Sequence, residues 1–392
     1  MAVVDRIRVI DVDTHISEPE NLWTSRLSSK WGDMVPRVIK DPRGERHGQH
    51  DDVWVWNGKQ VMPTALLAYA GHDSPFPSHP PTLADADPAS YRAPDRLKLM
   101  DEVGLYAQVL YPNVCGFGAG GFFFLEDREL MLQACRAYND FLVEWCREDT
   151  RRLLPILCLP FWDVDESVAE IQRGAQLGFK GVLFGCHPET YGLPWLGDPH
   201  WDPVWAAAQD ADLSINFHIA SGNEEEPVVW PGHRNRSRVI SSSCLYFLDN
   251  GFAISEVIVS GIAHRFPKLN FVSVESGVGW VPFFIEALDW QWKNNGGSQD
   301  HPDFDLLPSE YFKRQIYACF WFEEQSALHA LEVFPDNIMY ETDFPHPTSM
   351  SPGPASVAEY PNEYIERRLS GLPEDLLQKI LHGTAARVYH LA

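Results

Sequence analysis

Two carboxylate–histidine motifs lie near opposite ends of the chain, and each closes an apolar run. In Val9-Ile10-Asp11-Val12-Asp13-Thr14-His15, Asp13 and His15 stand two residues apart; on a strand, such positions share a face. Ile338-Met339-Tyr340-Glu341-Thr342-Asp343-Phe344-Pro345-His346 offers Asp343 and His346, with Glu341 one pleat deeper on the face of Asp343. Between them, Ser214-Ile215-Asn216-Phe217-His218 and Val272-Ser273-Val274-Glu275 end on an imidazole and a carboxylate. A buried carboxylate without a partner is costly, and a divalent cation removes that cost. Asp13, His15, His218, Glu275 and Asp343 are therefore candidate metal ligands, with His187 a further candidate. Glu275, Asp343 and His346 are candidates to move a proton at the reacting group. Three carboxylates and two imidazoles are carboxylate-rich for one zinc. The same set would suit iron, even two irons bridged by a carboxylate, using dioxygen to hydroxylate an apolar substrate.

Such groups need strands to aim them. Eight runs read as buried parallel strands, at 8–13, 107–112, 153–159, 181–184, 213–218, 269–275, 315–319 and 337–343. Helical patterns separate them, at 94–103, 126–149, 163–177, 203–211, 255–266, 280–292 and 323–334, with Asp163 an expected N-cap. Eight such alternations predict one (β/α)8 TIM barrel spanning 1–392, with a helical segment at 373–389 closing it. Strand C-terminal ends then converge on one mouth, where the ligand types stand. Residues 16–93 are too many for a plain loop. They read as a cap insertion holding a β-hairpin, turned at Asn57-Gly58 between Trp54, Trp56 and Val61.

Phe320, Trp321 and Phe322, just past the seventh strand, together with Trp280 and Trp230, predict an apolar or aromatic substrate pocket; Trp23, Trp54 and Trp56 are weaker candidates. Arg234, Arg236 and Arg238 offer a hold on a carboxylate, and Glu224-Glu225-Glu226 reads as a solvated loop.

Composition narrows the classes. A net charge of −24 argues against nucleic acid or an anionic membrane as partner, and no apolar run is long enough for a membrane helix. The 7 cysteines form no Cys-x-x-Cys pair and fit reduced thiols in a cytoplasmic protein. Phosphate-loop, nucleophile-elbow and zinc-knuckle motifs are lacking.

Taken in order, Asp11-Val12-Asp13-Thr14-His15, Leu99-Met100-Asp101-Glu102-Val103-Gly104, Phe217-His218, Arg265-Phe266-Pro267-Lys268-Leu269, Thr342-Asp343-Phe344-Pro345-His346 and Lys379-Ile380-Leu381-His382 carry a resemblance. The chain resembles the amidohydrolase-related family that includes aminocarboxymuconate-semialdehyde and γ-resorcylate decarboxylases. The resemblance implies a metal-dependent TIM barrel in which Asp13, His15, His218 and Asp343 take the ligand places. It also implies a zinc or manganese ion, and a homodimer. Glu275 stands where those decarboxylases place a histidine. Lys180 opens the fourth strand instead of ending it, so no bridging carbamylated lysine is available.

The leading expectation is a metal-dependent lyase (decarboxylase) or hydrolase acting on a small hydrophobic or aromatic molecule bearing a carboxylate. The alternatives are a non-haem iron or di-iron monooxygenase on the same barrel, and a barrel that binds ligand without catalysis.

Overall fold

The computed structural model describes residues 2–40, 51–221 and 230–391. Its eight barrel strands are β1 (Val9–His15), β2 (Leu105–Tyr111), β3 (Leu153–Cys158), β4 (Gly181–Leu183), β5 (Ser214–His218), β6 (Phe271–Val274), β7 (Ile316–Phe320) and β8 (Ile338–Tyr340). Each pairs in parallel with the next, in chain order. Nearly every strand residue is buried, as strands covered on both faces require.

The sheet curls until its edges meet. Thr14 bridges Phe344, the His15 N–H donates to the Phe344 carbonyl at 2.7 Å, and the Asp343 N–H donates to the Asp13 carbonyl at 2.9 Å. The result is the nearly closed α/β TIM barrel that the alternation predicts. Asp11 reinforces the seam. Its carboxylate accepts from the Thr342 N–H (2.9 Å), the Thr342 hydroxyl (2.7 Å) and Gln108 Nε2 (3.0 Å).

Helix ends follow local chemistry. Helix α1 (Ala93–Val103) stops at Gly104, whose φ of 78° suits glycine. Helix α2 (Arg128–Cys146) is capped by Asp127 and α3 (Val164–Leu177) by Asp163, each accepting a first-turn N–H. Helix α4 (Asp202–Asp210) precedes β5. Two longer helices, α5 (Asn235–Tyr246) and α6 (Asn250–Val259), and a single helical turn at Ile262–Arg265 follow it before β6. The sequence pattern anticipates only the second, because α5 buries little beyond Ser242 and so lacks an apolar stripe.

Between β1 and α1, strands Arg37–Ile39, Val53–Trp56 and Lys59–Pro63 form an antiparallel sheet. Asn57 (φ 48°) and Gly58 (φ 74°) supply the two positive φ angles of its hairpin turn. This segment touches the barrel's rim. The N–H groups of Tyr69 and Ala70 donate to the Pro345 carbonyl at 2.9 and 3.0 Å, while the Ser17 N–H donates to the Ser90 carbonyl at 2.8 Å and ties the segment's two ends together. Trp54 and Trp56 do not line a substrate space: both are buried edge-on against Trp23, at 5.2 and 5.1 Å.

Candidate metal centre

Beyond the strand ends, two side chains sit on strained backbone. Glu275, one residue past β6, has φ 56°, and Asp343, three past β8, has φ 58°. The left-handed region costs a non-glycine residue about 1–3 kcal/mol, and such strain gathers at functional sites. It turns both carboxylates toward His15 and His218, which end β1 and β5.

The imidazoles face each other, their Nε2 atoms 3.1 Å apart. His15 Nδ1 lies 2.9 Å from the Pro112 carbonyl, and His218 Nδ1 lies 2.9 Å from that of Ile219. A carbonyl only accepts, so each Nδ1 carries the hydrogen and each Nε2 presents a lone pair. Around these lone pairs stand Asp13 Oδ1 (3.4 Å from His15 and 3.7 Å from His218), Asp343 Oδ1 (3.5 Å from His15) and Glu275 Oε2 (3.3 Å from His218). Both carboxylate oxygens of Asp13 and of Asp343 are buried without a hydrogen-bond partner. Buried oxygens left unpaired around two opposed lone pairs make a candidate donor set for a divalent cation.

Electrostatics agree. Burial pulls His15 down to about 3 and His218 down to about 4, which leaves both rings neutral at physiological pH. Burial pushes Asp13 up to about 7, and Glu275, Asp343 and Glu341 well above the usual carboxylate range; neighbouring carboxylates add to the effect. Arg96 is wholly buried nearby, yet it donates to the His15 and Ala89 carbonyls and to Gln108, leaving the acidic cluster without a fixed counter-charge from it.

His346 stacks on His15 with ring centroids 3.7 Å apart. Its Nδ1 lies 2.9 Å from Asp343 Oδ1, and its Nε2 lies 2.7 Å from Asn113 Oδ1. Glu341 sits behind, one oxygen accepting the Glu275 N–H at 3.2 Å and the other without a partner.

The structure thus gathers Asp13, His15, His218, Glu275, Asp343 and His346. It does not bring His187 to them: one ring nitrogen lies 2.8 Å from Asp249 and the other 3.1 Å from Glu189, and the ring packs on Phe252. Both nitrogens are taken up by carboxylates, so the ligand reading of His187 is corrected to a clamp between β4 and α6.

The expected aromatic lining disperses. Phe320 packs on Tyr340, and Trp321 is buried edge-on to Phe247. Phe322 is 50% and Trp230 68% exposed, and Trp280 hydrogen-bonds to the Ser276 carbonyl and packs on Phe284. Aromatic side chains bury well in many settings, so position after a strand is a weak guide to lining. Arg234, Arg236 and Arg238 lie exposed at the start of α5; Glu224, Glu225 and Glu226 lie outside the described residues.

The rings that contact the imidazoles are Phe117 and Tyr111. Phe117 is half-buried, stacks on His218 at 4.6 Å and meets His15 edge-on at 5.2 Å. Tyr111 meets the same two histidines at 5.5 and 5.9 Å. Phe117 is absent from the sequence expectations, though its glycine-rich surroundings, Gly116 to Gly121, were a signal. At Gly118 an added Cβ would fall 2.6 Å from the Ser221 carbonyl, so the loop must lie close against the barrel's rim.

The sequence model of the amidohydrolase family matches residues 10–391. No curated protein matches the sequence. Among solved structures, an amidohydrolase from Mycobacterium avium subsp. paratuberculosis K-10 superposes with a TM-score of 0.75 at 23% identity, covering 98% of this chain and 99% of that one. The 5-carboxyvanillate decarboxylase of Sphingomonas paucimobilis gives 0.66 at 20% identity, over 98% and 100%. A dihydroxybenzoic acid decarboxylase from Polaromonas sp. JS666, solved with manganese and 2-nitroresorcinol, gives 0.60 at 18% identity, over 98% and 97%.

Proposed function

This chain belongs to the amidohydrolase family, and on that premise we propose that it is a metal-dependent lyase or hydrolase acting on a small aromatic or hydrophobic carboxylic acid, with non-oxidative decarboxylation the leading reaction. One observation carries the reading: the opposed, unprotonated Nε2 atoms of His15 and His218, ringed by partnerless carboxylate oxygens. Two decarboxylases of similar fold act on ring acids, which favours that substrate class here.

A divalent ion held by Asp13, His15 and His218 would supply positive charge for the substrate's carboxylate and a neighbouring oxygen. The protein's own groups do the rest. Phe117 gives the substrate ring a flat apolar wall and excludes water, with buried Tyr111 packed behind the two imidazoles. Asp343, whose carboxyl is pushed above the usual carboxylate range by burial and its acidic neighbours, delivers a proton to the ring carbon that bears the carboxylate. The C–C bond then breaks, carbon dioxide leaves, and the ring keeps the proton as its new hydrogen. His346, fixed by Asn113 through Nε2 and 2.9 Å from Asp343 through Nδ1, orients that carboxyl, and water restores its proton once product has left.

The test is carbon dioxide release from a panel of hydroxybenzoic acids by metal-stripped protein, with and without added manganese or zinc. Metal-dependent release supports the proposal. Ester or amide hydrolysis alone would leave the metal site and move the assignment to a hydrolase.

A second reading, iron-dependent hydroxylation with dioxygen, rests on one feature: Glu275 in place of a neutral histidine makes the donor set unusually anionic. Oxygen consumption by the iron-loaded protein would favour it.

A further inference from the structure

One buried carboxylate lies outside the metal centre yet holds a loop that meets three of its imidazoles. Beyond β2 the chain leaves the sheet as Pro112-Asn113-Val114-Cys115-Gly116-Phe117. The Pro112 carbonyl lies 2.9 Å from His15 Nδ1, Asn113 Oδ1 lies 2.7 Å from His346 Nε2, and the Phe117 ring stacks on His218 at 4.6 Å. Glu18 grips this loop at its start. Its Oε1 accepts from the N–H groups of Asn113 (2.9 Å) and Val114 (3.1 Å), and its Oε2 lies 3.2 Å from the Val114 nitrogen. We infer that Glu18 is a positioning residue, which by fixing the backbone of Asn113 and Val114 sets the tautomer of His346 and the seat of the substrate ring on Phe117.

Chain order makes the coupling direct. Glu18 follows closely on His15, and the Ile16 N–H still donates to the Tyr111 carbonyl at 3.2 Å, so β1 and β2 leave the barrel side by side. The carboxylate then reaches from one exit to the other, with only 2% of the residue exposed. Ser17 Oγ, 3.4 Å from Asn113 Nδ2, turns that amide so that Oδ1 faces His346. His346 Nε2 thus carries the hydrogen, and its Nδ1 faces Asp343 Oδ1 at 2.9 Å. One path of contacts runs from Glu18 through Asn113 and His346 to Asp343, the proposed proton donor.

Chemistry separates this role from plain packing. A buried carboxylate costs more than the hydroxyl or carbonyl that could close an ordinary turn. It adds charge-assisted bonding, about twice as strong as neutral bonding, and hence a stiffer loop. The loop needs that stiffness, because Gly116, Gly118, Gly120 and Gly121 bring it no side chains with which to anchor itself. The site needs it too: a misplacement of about 1 Å can cost about 10²-fold in rate.

This inference rests on the proposed function for its kinetic arm only, so the two can fail separately. Full-length, zinc-loaded protein carrying nitrogen-15-labelled histidine is read by nuclear magnetic resonance, the His346 signals being those lost in His346→Gln. Wild type is expected to hold the ring hydrogen on Nε2. Glu18→Ala is expected to move it to Nδ1, toward Asp343, and Glu18→Gln, which keeps the accepting oxygen, to return it. In carbon dioxide release from the hydroxybenzoic acid panel, Glu18→Ala should lower kcat about 10–100-fold and raise KM, and Glu18→Gln should restore both. Should Glu18→Ala misfold, Glu18→Asp, which keeps the charge but draws the oxygens back by one methylene, serves the same comparison. A lowered melting temperature with tautomer, kcat and KM as in wild type would overturn the inference and leave the function standing. Glu18→Gln behaving as Glu18→Ala would overturn it too. Wild type that releases no carbon dioxide would overturn the proposed function, and the tautomer would still decide the inference.

Discussion

His15 Nε2 and His218 Nε2 face one another at 3.1 Å, and neither carries a hydrogen with which to bond the other. Two lone pairs held this close by opposite sides of a barrel repel unless a cation lies between them. Backbone carbonyls lock both tautomers, so the arrangement is built into the fold and does not await a ligand.

Metal should therefore stabilise the protein through this pair. Removing one ligand imidazole should cost more than the roughly 10–100-fold lost on removing an outer partner. His218→Ala should bind manganese at least about 100-fold more weakly, and chelator should lower the melting temperature of wild type but not of the variant. Equal chelator sensitivity in both would place the stabilising ion elsewhere.

Asp343→Asn should keep the fold and lose the acid. The amide preserves shape in a wholly buried position, while the transferable proton is gone. Turnover should fall about 10²–10⁴-fold, with circular dichroism unchanged. Retained turnover would move the proton role to Glu275 or His346.

Asp11 acts on the seam, not on the substrate. Its three bonds to Thr342 and Gln108 join β1 to β8 and β2 behind the ligands. Asp11→Ala would strand buried donors and should cost about 3 kcal/mol in urea unfolding. A loss below about 1 kcal/mol would show that the seam holds without it.

Much of this frame was legible in the sequence. Strands buried on both faces leave continuous apolar runs, so all eight stand out, and period-two geometry pairs Asp13 with His15. Glu275 and Asp343 were found as strand-end carboxylates, although both lie past the ends of β6 and β8 on backbone no propensity would predict. Phe117 was missed because a lone ring in a glycine-rich loop carries no periodicity. Helix α5 was missed because a surface helix with one buried serine has none either. His187 was misplaced because distance along the chain from a strand end does not say which carboxylates fold against it.

Glu18 should make stability depend on pH. Its buried carboxylate accepts from the Asn113 and Val114 N–H groups, and burial pushes it up to about 7 from 4.5. The folded state thus holds a proton that the unfolded chain has released, and stability falls as pH rises from about 4.5 to 7. Glu18→Gln keeps the acceptor and removes this share, at most about 3 kcal/mol across the window. Parallel pH–stability curves for wild type and Glu18→Gln in the metal-free protein would contradict this.

Phe117→Ala should act on the substrate alone. Loss of the ring over His218 should raise KM for an aromatic acid about tenfold, the equivalent of roughly 1.4 kcal/mol, without changing manganese affinity. A change in metal affinity without a change in KM would make Phe117 a support for the ligands instead of a wall for the substrate.

The most direct test of the whole account is an anomalous difference map from crystals of the manganese-loaded protein. A peak about 2.2 Å from both His15 Nε2 and His218 Nε2, with Asp13 in its coordination shell, is the result expected. Full manganese occupancy elsewhere, with those two nitrogens uncoordinated, would contradict it.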